Sequence, residues 1–366
     1  MNFVFWQNMV SIHQSALMSA LSSKHNVTLV VEKIFEQERV SSGWGVPQMG
    51  ATSIIEAPTE QEIDELLSSK DNRIHIFTGM RAYPMVTRAF KLAIKRRLRI
   101  GLYMEPYDPT GWRGILRKCV YRFLTWRYKN AISFVLATGN TGVQCYIDAG
   151  FSPQQVFEWG YFTEDNDNAR VEERRDSKVK LLFVGRLDEN KQILSLIESF
   201  NCFCSNVAEL TIIGTGPLQK IVEEKVKNNT SLHYIGVQNN NRVKDIMSDS
   251  DLVILPSLYD GWGAVVNEAL QSGCRVLCST ACGAASLLGD EMRGGTFNWR
   301  KDEDLKEKLI YWIRKGKLDN ESRTKISSWA RQNISGESAV DYLENIVQFC
   351  KNKRLTTKPV TPWKND

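Results

Sequence analysis

Three short stretches in the second half of the chain combine glycine with charge in a way that suits a phosphorylated ligand. Val184 runs into Gly185-Arg186-Leu187-Asp188-Glu189-Asn190-Lys191. At a strand-to-helix turn, Arg186 can grip a diphosphate bidentately and Lys191 adds a point charge; an ordinary solvated charged loop is the alternative. Ile213 runs into Gly214-Thr215-Gly216-Pro217. A dinucleotide fingerprint would need glycine at position 219, where Gln219 stands, so this stretch speaks against a nicotinamide enzyme and for a tight turn before a helix opened by Pro217. Leu255-Pro256-Ser257 leads to Tyr259-Asp260-Gly261-Trp262-Gly263 and a helical stretch carrying Asn267 and Glu268. Gly261 and Gly263 let a ligand approach the backbone, and the helix start offers N–H groups to phosphate. Glu268 is placed to accept both hydroxyls of a ribose. The competing reading makes it an acidic side chain that complements the helix dipole.

The elements that must hold these loops are short apolar runs alternating with amphipathic stretches. In the first half the runs are Phe3–Trp6, Val27–Val31, Arg73–Phe77, Arg99–Met104, Ile132–Ala137 and Val156–Trp159; in the second they are Val179–Val184, Leu210–Ile213, Leu232–Ile235, Leu252–Leu255, Arg275–Cys278 and Gly295–Phe297. Helical patterns such as Glu60–Leu67, Met85–Arg97 and Trp112–Tyr128 lie between them. The rhythm predicts an α/β protein with two Rossmann-like domains, each a parallel sheet covered by helices, facing across a cleft. The domains are expected at 1–162 and 179–337, joined by the charged linker 163–178 and followed by a helix and a frayed polar tail over 338–366.

Composition agrees with a globular chain. Of 366 residues, 42% are hydrophobic and 24% charged, which excludes a disordered, collagen-like or disulfide-miniprotein chain. The net charge of +5 is too small to imply nucleic acid, and none is expected as a partner. The charge is uneven, however: between Arg81 and Lys129 stand 13 Lys and Arg against only Glu105 and Asp108. The eight cysteines are dispersed and are expected to be reduced thiols. Cys274, Cys278 and Cys282 recur every fourth residue, but the β-branched, apolar surroundings read as a buried strand rather than a metal site. The N-terminal segment is interrupted by Gln7, Asn8, His13 and Gln14, so it reads as neither signal peptide nor membrane span, and a cytoplasmic protein is expected.

The order and spacing of Gly185-Arg186…Lys191, Gly214-Thr215-Gly216-Pro217-Leu218, Asp249-Ser250-Asp251 and Asp260-x7-Glu268, followed by Ala269-Leu270-Gln271-Ser272-Gly273, closely resemble the retaining family 4 glycosyltransferases of the GT-B fold, the glycosyl transferases group 1. The likeness is strong from about Val179 to Asp290. The family's acidic pair is usually Glu-x7-Glu, whereas Asp260 is one methylene shorter. The resemblance implies a nucleotide-sugar donor held by Gly185, Arg186, Lys191, Gly214, Val237, Asp260, Gly261, Trp262, Gly263, Ala264 and Glu268. Arg186 and Lys191 would take the diphosphate, Glu268 the ribose, Asp260 the donor sugar, and Gly236-Val237-Gln238 the base. With two cations and a helix N-terminus at the leaving group, no metal or other cofactor is expected. Asp165-Asn166-Asp167 and Asp249-Ser250-Asp251 mimic the metal motif of the other glycosyltransferase fold, the first in the linker and the second before a strand, and are read as coincidence.

The first half departs from the family pattern. The usual glycine-rich loop is replaced by Trp6-Gln7-Asn8-Met9-Val10-Ser11-Ile12-His13, in which Ser11 and Gln14 can form a capping box. Where a catalytic-loop histidine is common stands Glu105, followed by Pro106-Tyr107-Asp108. His13, Glu105 and Asp108 are therefore candidates for the acceptor, with Glu105 also a candidate helper base beside the catalytic set Asp260, Arg186 and Lys191. On a helical wheel Trp112, Ile115, Leu116, Cys119, Val120, Phe123 and Trp126 share one face, with Arg113, Arg117, Lys118, Arg122 and Lys129 on the other side. A core-packed helix with a solvated basic back is one reading. The other sets Arg88–Arg99 and Arg113–Lys129 against the anionic inner face of the plasma membrane. The expected function is a retaining glycosyltransferase that acts on a sugar acceptor, expected to be lipid-linked, in bacterial surface-polysaccharide synthesis. A nucleotide-sugar epimerase of the same architecture and a non-catalytic nucleotide-sugar-binding subunit are the alternatives.

Overall fold

The structure, a computed structural model, describes residues 1–34, 47–68, 72–164, 178–202, 207–301, 303–352 and 356–364. Two compact units emerge: one runs to Glu164 and resumes at Ile334, and the other ends at Asn333. The stretch 163–178, read as a linker, lies outside the described residues from 165 to 177, and Asp165-Asn166-Asp167 with it.

In the first unit, β1 (Asn2–Met9), β2 (Asn26–Lys33), β3 (Ser53–Glu56), β4 (Ile74–Thr78), β5 (Arg99–Met104), β6 (Ile132–Thr138) and β7 (Val156–Trp159) form a parallel sheet in the order β3-β2-β1-β4-β5-β6-β7. Phe3 pairs with Val27 on one side and Ile74 on the other. Strands such as β1 are apolar on both faces because helices cover both. These helices are α1 (Ser15–Lys24), α2 (Glu60–Ser68), α3 (Pro84–Lys95), α4 (Gly111–Tyr128) and α5 (Gly139–Asp148). The edge strand β3 was not anticipated: its residues are largely exposed, so Ser53–Glu56 carries no buried apolar run.

In the second unit, β8 (Val179–Val184), β9 (Ala208–Ile213), β10 (Leu232–Tyr234), β11 (Leu252–Leu255), β12 (Arg275–Ser279) and β13 (Gly294–Phe297) form a parallel sheet in the order β10-β9-β8-β11-β12-β13. Its helices are α6 (Ile193–Asn201), α7 (Gln219–Lys227), α8 (Asn240–Asp249), α9 (Val265–Gln271), α10 (Asp304–Lys315) and α11 (Asn320–Asn333). Phe183, Ile197, Leu210, Leu277 and Trp312 lie at its core. Asp251 and Arg323 form a buried ion pair at 2.9 Å. Asp251 also accepts from the amides of Lys180 and Leu318, and Arg323 donates to the carbonyls of Ser248 and Ser250. Asp251 therefore ties β8 and the α11 region to β11. In each sheet the strand order reverses beside the first strand, at β1/β4 and at β8/β11, the position where parallel α/β sheets commonly bind ligands at the carboxyl ends of their strands.

The last helix, α12 (Gly336–Lys351), belongs to the first unit. Ser335 caps it by accepting from the Ser338 amide, and Ala339, Val340, Leu343, Ile346 and Val347 line its buried face. A Cβ on Gly336 would stand 2.2 Å from the Ala16 carbonyl oxygen, so only glycine allows this approach to α1. The tail was expected to fray, but its described residues 356–364 are held. Lys358 donates to the carbonyls of Pro153 and Val156, Lys364 reaches Glu158, and Trp363 is 2% exposed. Apolar burial of one tryptophan and three lysine contacts outweigh the polar composition. Among the described residues no helix is long and apolar enough to cross a membrane.

Candidate active site

The loops at the carboxyl ends of β8, β9, β10 and β11 pack on one another. The Gly185 amide donates to the Ile213 carbonyl, and the Leu187 amide to that of Thr215. Gly214, at φ +137°, leaves no space for a side chain: a Cβ there would lie 1.9 Å from the Gly185 carbonyl oxygen, and one on Gly216 2.4 Å from that of Leu187. The Gly214-Thr215-Gly216 turn thus exists first to seat the Arg186 loop. The Gly214 amide in turn donates to the Gly236 carbonyl, beside Val237, which is 45% exposed.

Arg186 projects into solvent, its Nε 3.3 Å from Asp188 Oδ2. Lys191 turns inward instead. Its Nζ lies 2.5 Å from Asp260 Oδ2, with each side chain about one-fifth exposed. Asp260 Oδ1 accepts from the Trp262 amide at 3.2 Å, so both carboxylate oxygens have partners within the loops. Asn190 adds a clasp. Its Nδ2 donates to the Tyr259 carbonyl, its Oδ1 accepts from the Tyr259 amide, and its carbonyl accepts from the Leu258 amide. Gly263, at φ +99°, would set a Cβ 2.6 Å from Leu255 Cδ2 and opens the chain into α9 through Ala264. On α9, burial pushes the Glu268 carboxyl up to about 7, opposed by the charge of Lys244.

One expected ligand residue is otherwise employed. Trp262 is 1% exposed and its Nε1 donates to Asn267 at 2.7 Å, so its ring is a core plug beneath the loop, held there by burying an aromatic with its one polar atom satisfied. Cys274, Cys278 and Cys282 are buried thiols, and Asp249 pairs with Lys180. Among the described residues no three His, Cys, Asp or Glu side chains gather as metal ligands would.

The first unit has its own pocket, of about 310 Å³, at the β1/β4 reversal. Gln7, Asn8, His13 and Gln14 line it from the end of β1, Thr78 and Tyr83 from β4, Tyr103 and Glu105 from β5, and Tyr121, Tyr146 and Tyr161 from beyond. The His13 ring stacks on Tyr161 at 4.8 Å, and the Tyr161 hydroxyl donates to the Glu105 carboxylate. Gln7 Nε2 and Gln14 Oε1 are buried without a protein partner among the described residues. The expected capping box does not form: Ser11 caps a single 3₁₀ turn, Ile12–Gln14, which shifts the α-helix start to Ser15 and leaves Gln14 facing the pocket. Asp108 does not line the pocket. It accepts from the Thr110 amide and hydroxyl, which hold its pKa down, and lies 3.4 Å from Arg117. It is a turn residue before α4.

Residues 164–333 match the family model of the glycosyl transferases group 1. The second unit is a group 1 glycosyltransferase domain. An uncharacterized 41.2 kDa protein in the cps region of Klebsiella pneumoniae is 23% identical over 65% of this chain and 68% of its own. The putative teichuronic acid biosynthesis glycosyltransferase TuaC of Bacillus subtilis is 32% identical over 30% of this chain, which spans about a quarter (26%) of TuaC. Among solved structures, Anabaena Alr3699/HepE in complex with UDP superposes with a TM-score of 0.71 at 12% identity, covering 95% of this chain and 100% of that one. At that identity the likeness shows the GT-B fold of two Rossmann-like units. Asn190 beside the group 1 domain's charged loops and Tyr161 in the first unit's pocket are the site neighbours that sequence reasoning missed. Asn190 looked like any polar loop residue, and Tyr161 sits in chain far from Glu105, with no spacing to connect them.

Proposed function

We propose that the chain is a retaining glycosyltransferase that moves a sugar from a nucleotide-sugar donor to a sugar hydroxyl. The observation that carries this is the pairing of Lys191, on the loop that also carries Arg186, with Asp260 at the β8/β11 strand reversal of a group 1 domain. Arg186 and Lys191 would bind the diphosphate and neutralise charge as it leaves, which is worth most in a water-poor site. Asp260 would hold Lys191 in place and face the sugar. Glu268 would accept the ribose hydroxyls, and Val237 would flank the base. The leaving diphosphate itself takes the acceptor proton, so the sugar is transferred on the face from which it leaves and its configuration is retained.

The acceptor sugar would occupy the first unit's pocket, where Gln7, Gln14 and Glu105 offer hydrogen bonds and stacked His13 and Tyr161 an aromatic wall. A role in surface-polysaccharide synthesis fits the cps-region location of the Klebsiella relative and the teichuronic acid role named for the Bacillus one, and the acceptor proposed here is a lipid-linked sugar. Arg186 and Lys191 would supply the positive charge that a metal otherwise brings to the diphosphate, so activity is expected to survive an excess of EDTA. The test is a mass-spectrometric screen of nucleotide sugars with and without membrane extract. A new glycan that needs both donor and extract supports the reading. An epimerised nucleotide sugar, or free sugar alone, refutes it.

A further inference from the structure

Helix α4 faces the opposite way from an ordinary amphipathic helix. Trp112, Ile115, Leu116, Phe123 and Trp126 are 70%, 67%, 56%, 60% and 71% exposed. At about 100° per residue they form one stripe some 100° wide. Exposed Arg113 and Arg127 flank the stripe on one side and Lys118 and Arg122 on the other, and the helix Gly111–Tyr128 contains no Asp or Glu. The inward face is made instead by Gly114 and Thr125 with Tyr121, Leu124 and Tyr128. Tyr121 stacks on Tyr107 at 4.9 Å, and Tyr128 meets Phe90 edge-on at 5.4 Å. Tyr121 also lines the first unit's pocket, so one helix walls that pocket and turns an apolar stripe outward.

We propose that this outer face docks the protein on an anionic lipid leaflet, the helix lying in the plane of the membrane with its aromatic stripe below the headgroups. Large apolar side chains on one stripe, with cations along both borders, are the pattern of an interfacial helix: tryptophans settle at the headgroup level and the cations meet lipid phosphates. A second copy of the chain is a poorer occupant, because pairing stripe to stripe would bring like charges together on both borders. The inference deepens the lipid-linked acceptor reading, since a lipid-borne sugar would reach the Tyr121 pocket from the surface on which α4 rests.

The test needs neither donor nor acceptor sugar, so it stands or falls apart from the enzymatic reading. The full chain is sedimented with phosphatidylcholine vesicles, with and without phosphatidylglycerol. Binding is expected only with the anionic lipid. The variant W112S/F123S/W126S should lower the partition coefficient about tenfold or more, and R113Q/R122Q/R127Q several-fold with loss of most salt dependence. Thermal unfolding of both variants should match the parent, since the substituted side chains are solvent-facing. Three results would overturn the proposal: no vesicle binding, binding indifferent to the apolar variant, or a parent dimer in sedimentation velocity that W112S/F123S/W126S converts to monomer.

Discussion

The carboxyl of Glu268 supplies a test of the donor site that reads binding alone. Burial raises it from 4.5 to about 7, against the pull of Lys244. If the ribose hydroxyls donate to this group, the ionised form is the one that binds. At pH 6 about a tenth of the free protein then carries the carboxylate and at pH 8 about nine-tenths, so affinity should rise about tenfold across that interval. UDP-glucose is the suitable probe, because its esterified diphosphate has no proton to lose in this range. Calorimetry of the parent and of Glu268→Gln over pH 6–8 gives the answer. The glutamine variant should bind more weakly at pH 8 and show no pH trend. Stability must move in the opposite sense. A carboxyl whose folded pKa lies above its unfolded value costs stability as pH rises through the window from 4.5 to about 7. Glu268→Gln should therefore be more stable to unfolding than the parent at pH 8, by at most about 3 kcal/mol, and nearly equal to it at pH 4. A flat parent titration, or a glutamine variant that binds as tightly at pH 8, would refute the ribose role.

Arg186→Ala and Lys191→Ala should each reduce turnover by about 30- to 1,000-fold, equivalent to roughly 2–4 kcal/mol of lost charge stabilisation. Only Lys191→Ala should also lower the melting temperature, because it strands the Asp260 carboxylate; near-normal turnover in either variant contradicts the diphosphate assignment. Asp260→Asn should lower kcat about ten- to a hundredfold while changing nucleotide affinity less than Glu268→Gln does. Equal losses of affinity in the two would mean their roles are wrongly divided. Arg323→Met leaves Asp251 buried without its cation and should cost about 3–5 kcal/mol in urea unfolding; a loss below 1 kcal/mol would show that the amides of Lys180 and Leu318 suffice.

What could be read from the residues alone is what local chemistry dictates. Most apolar runs became strands within a residue or two, as at Arg99–Met104 and Val179–Val184, because a doubly covered strand must be apolar on both faces; β1 runs three residues past the expected Trp6, to Met9. The loops after β8 and β11 were legible because glycine beside charge at a strand-to-helix turn has few other uses. Tertiary structure alone decided the rest. Lys191 meets Asp260 across 69 residues, and Tyr161 meets Glu105 across 56, at distances in sequence where no periodicity operates. Trp262 looked like a ligand neighbour from its glycines, yet its ring found a buried partner in Asn267. The wheel of α4 showed an apolar stripe correctly but could not say which way it faces. A helix's period specifies which side chains travel together, whereas the inward side goes to whichever stripe fits the neighbours already there. In this unit Phe90, Tyr107 and Tyr146 offer aromatic contacts, stacked at Tyr107 and edge-on at the other two, that Tyr121 and Tyr128 fill, and the stripe of Trp112 and Trp126 is left to face outward.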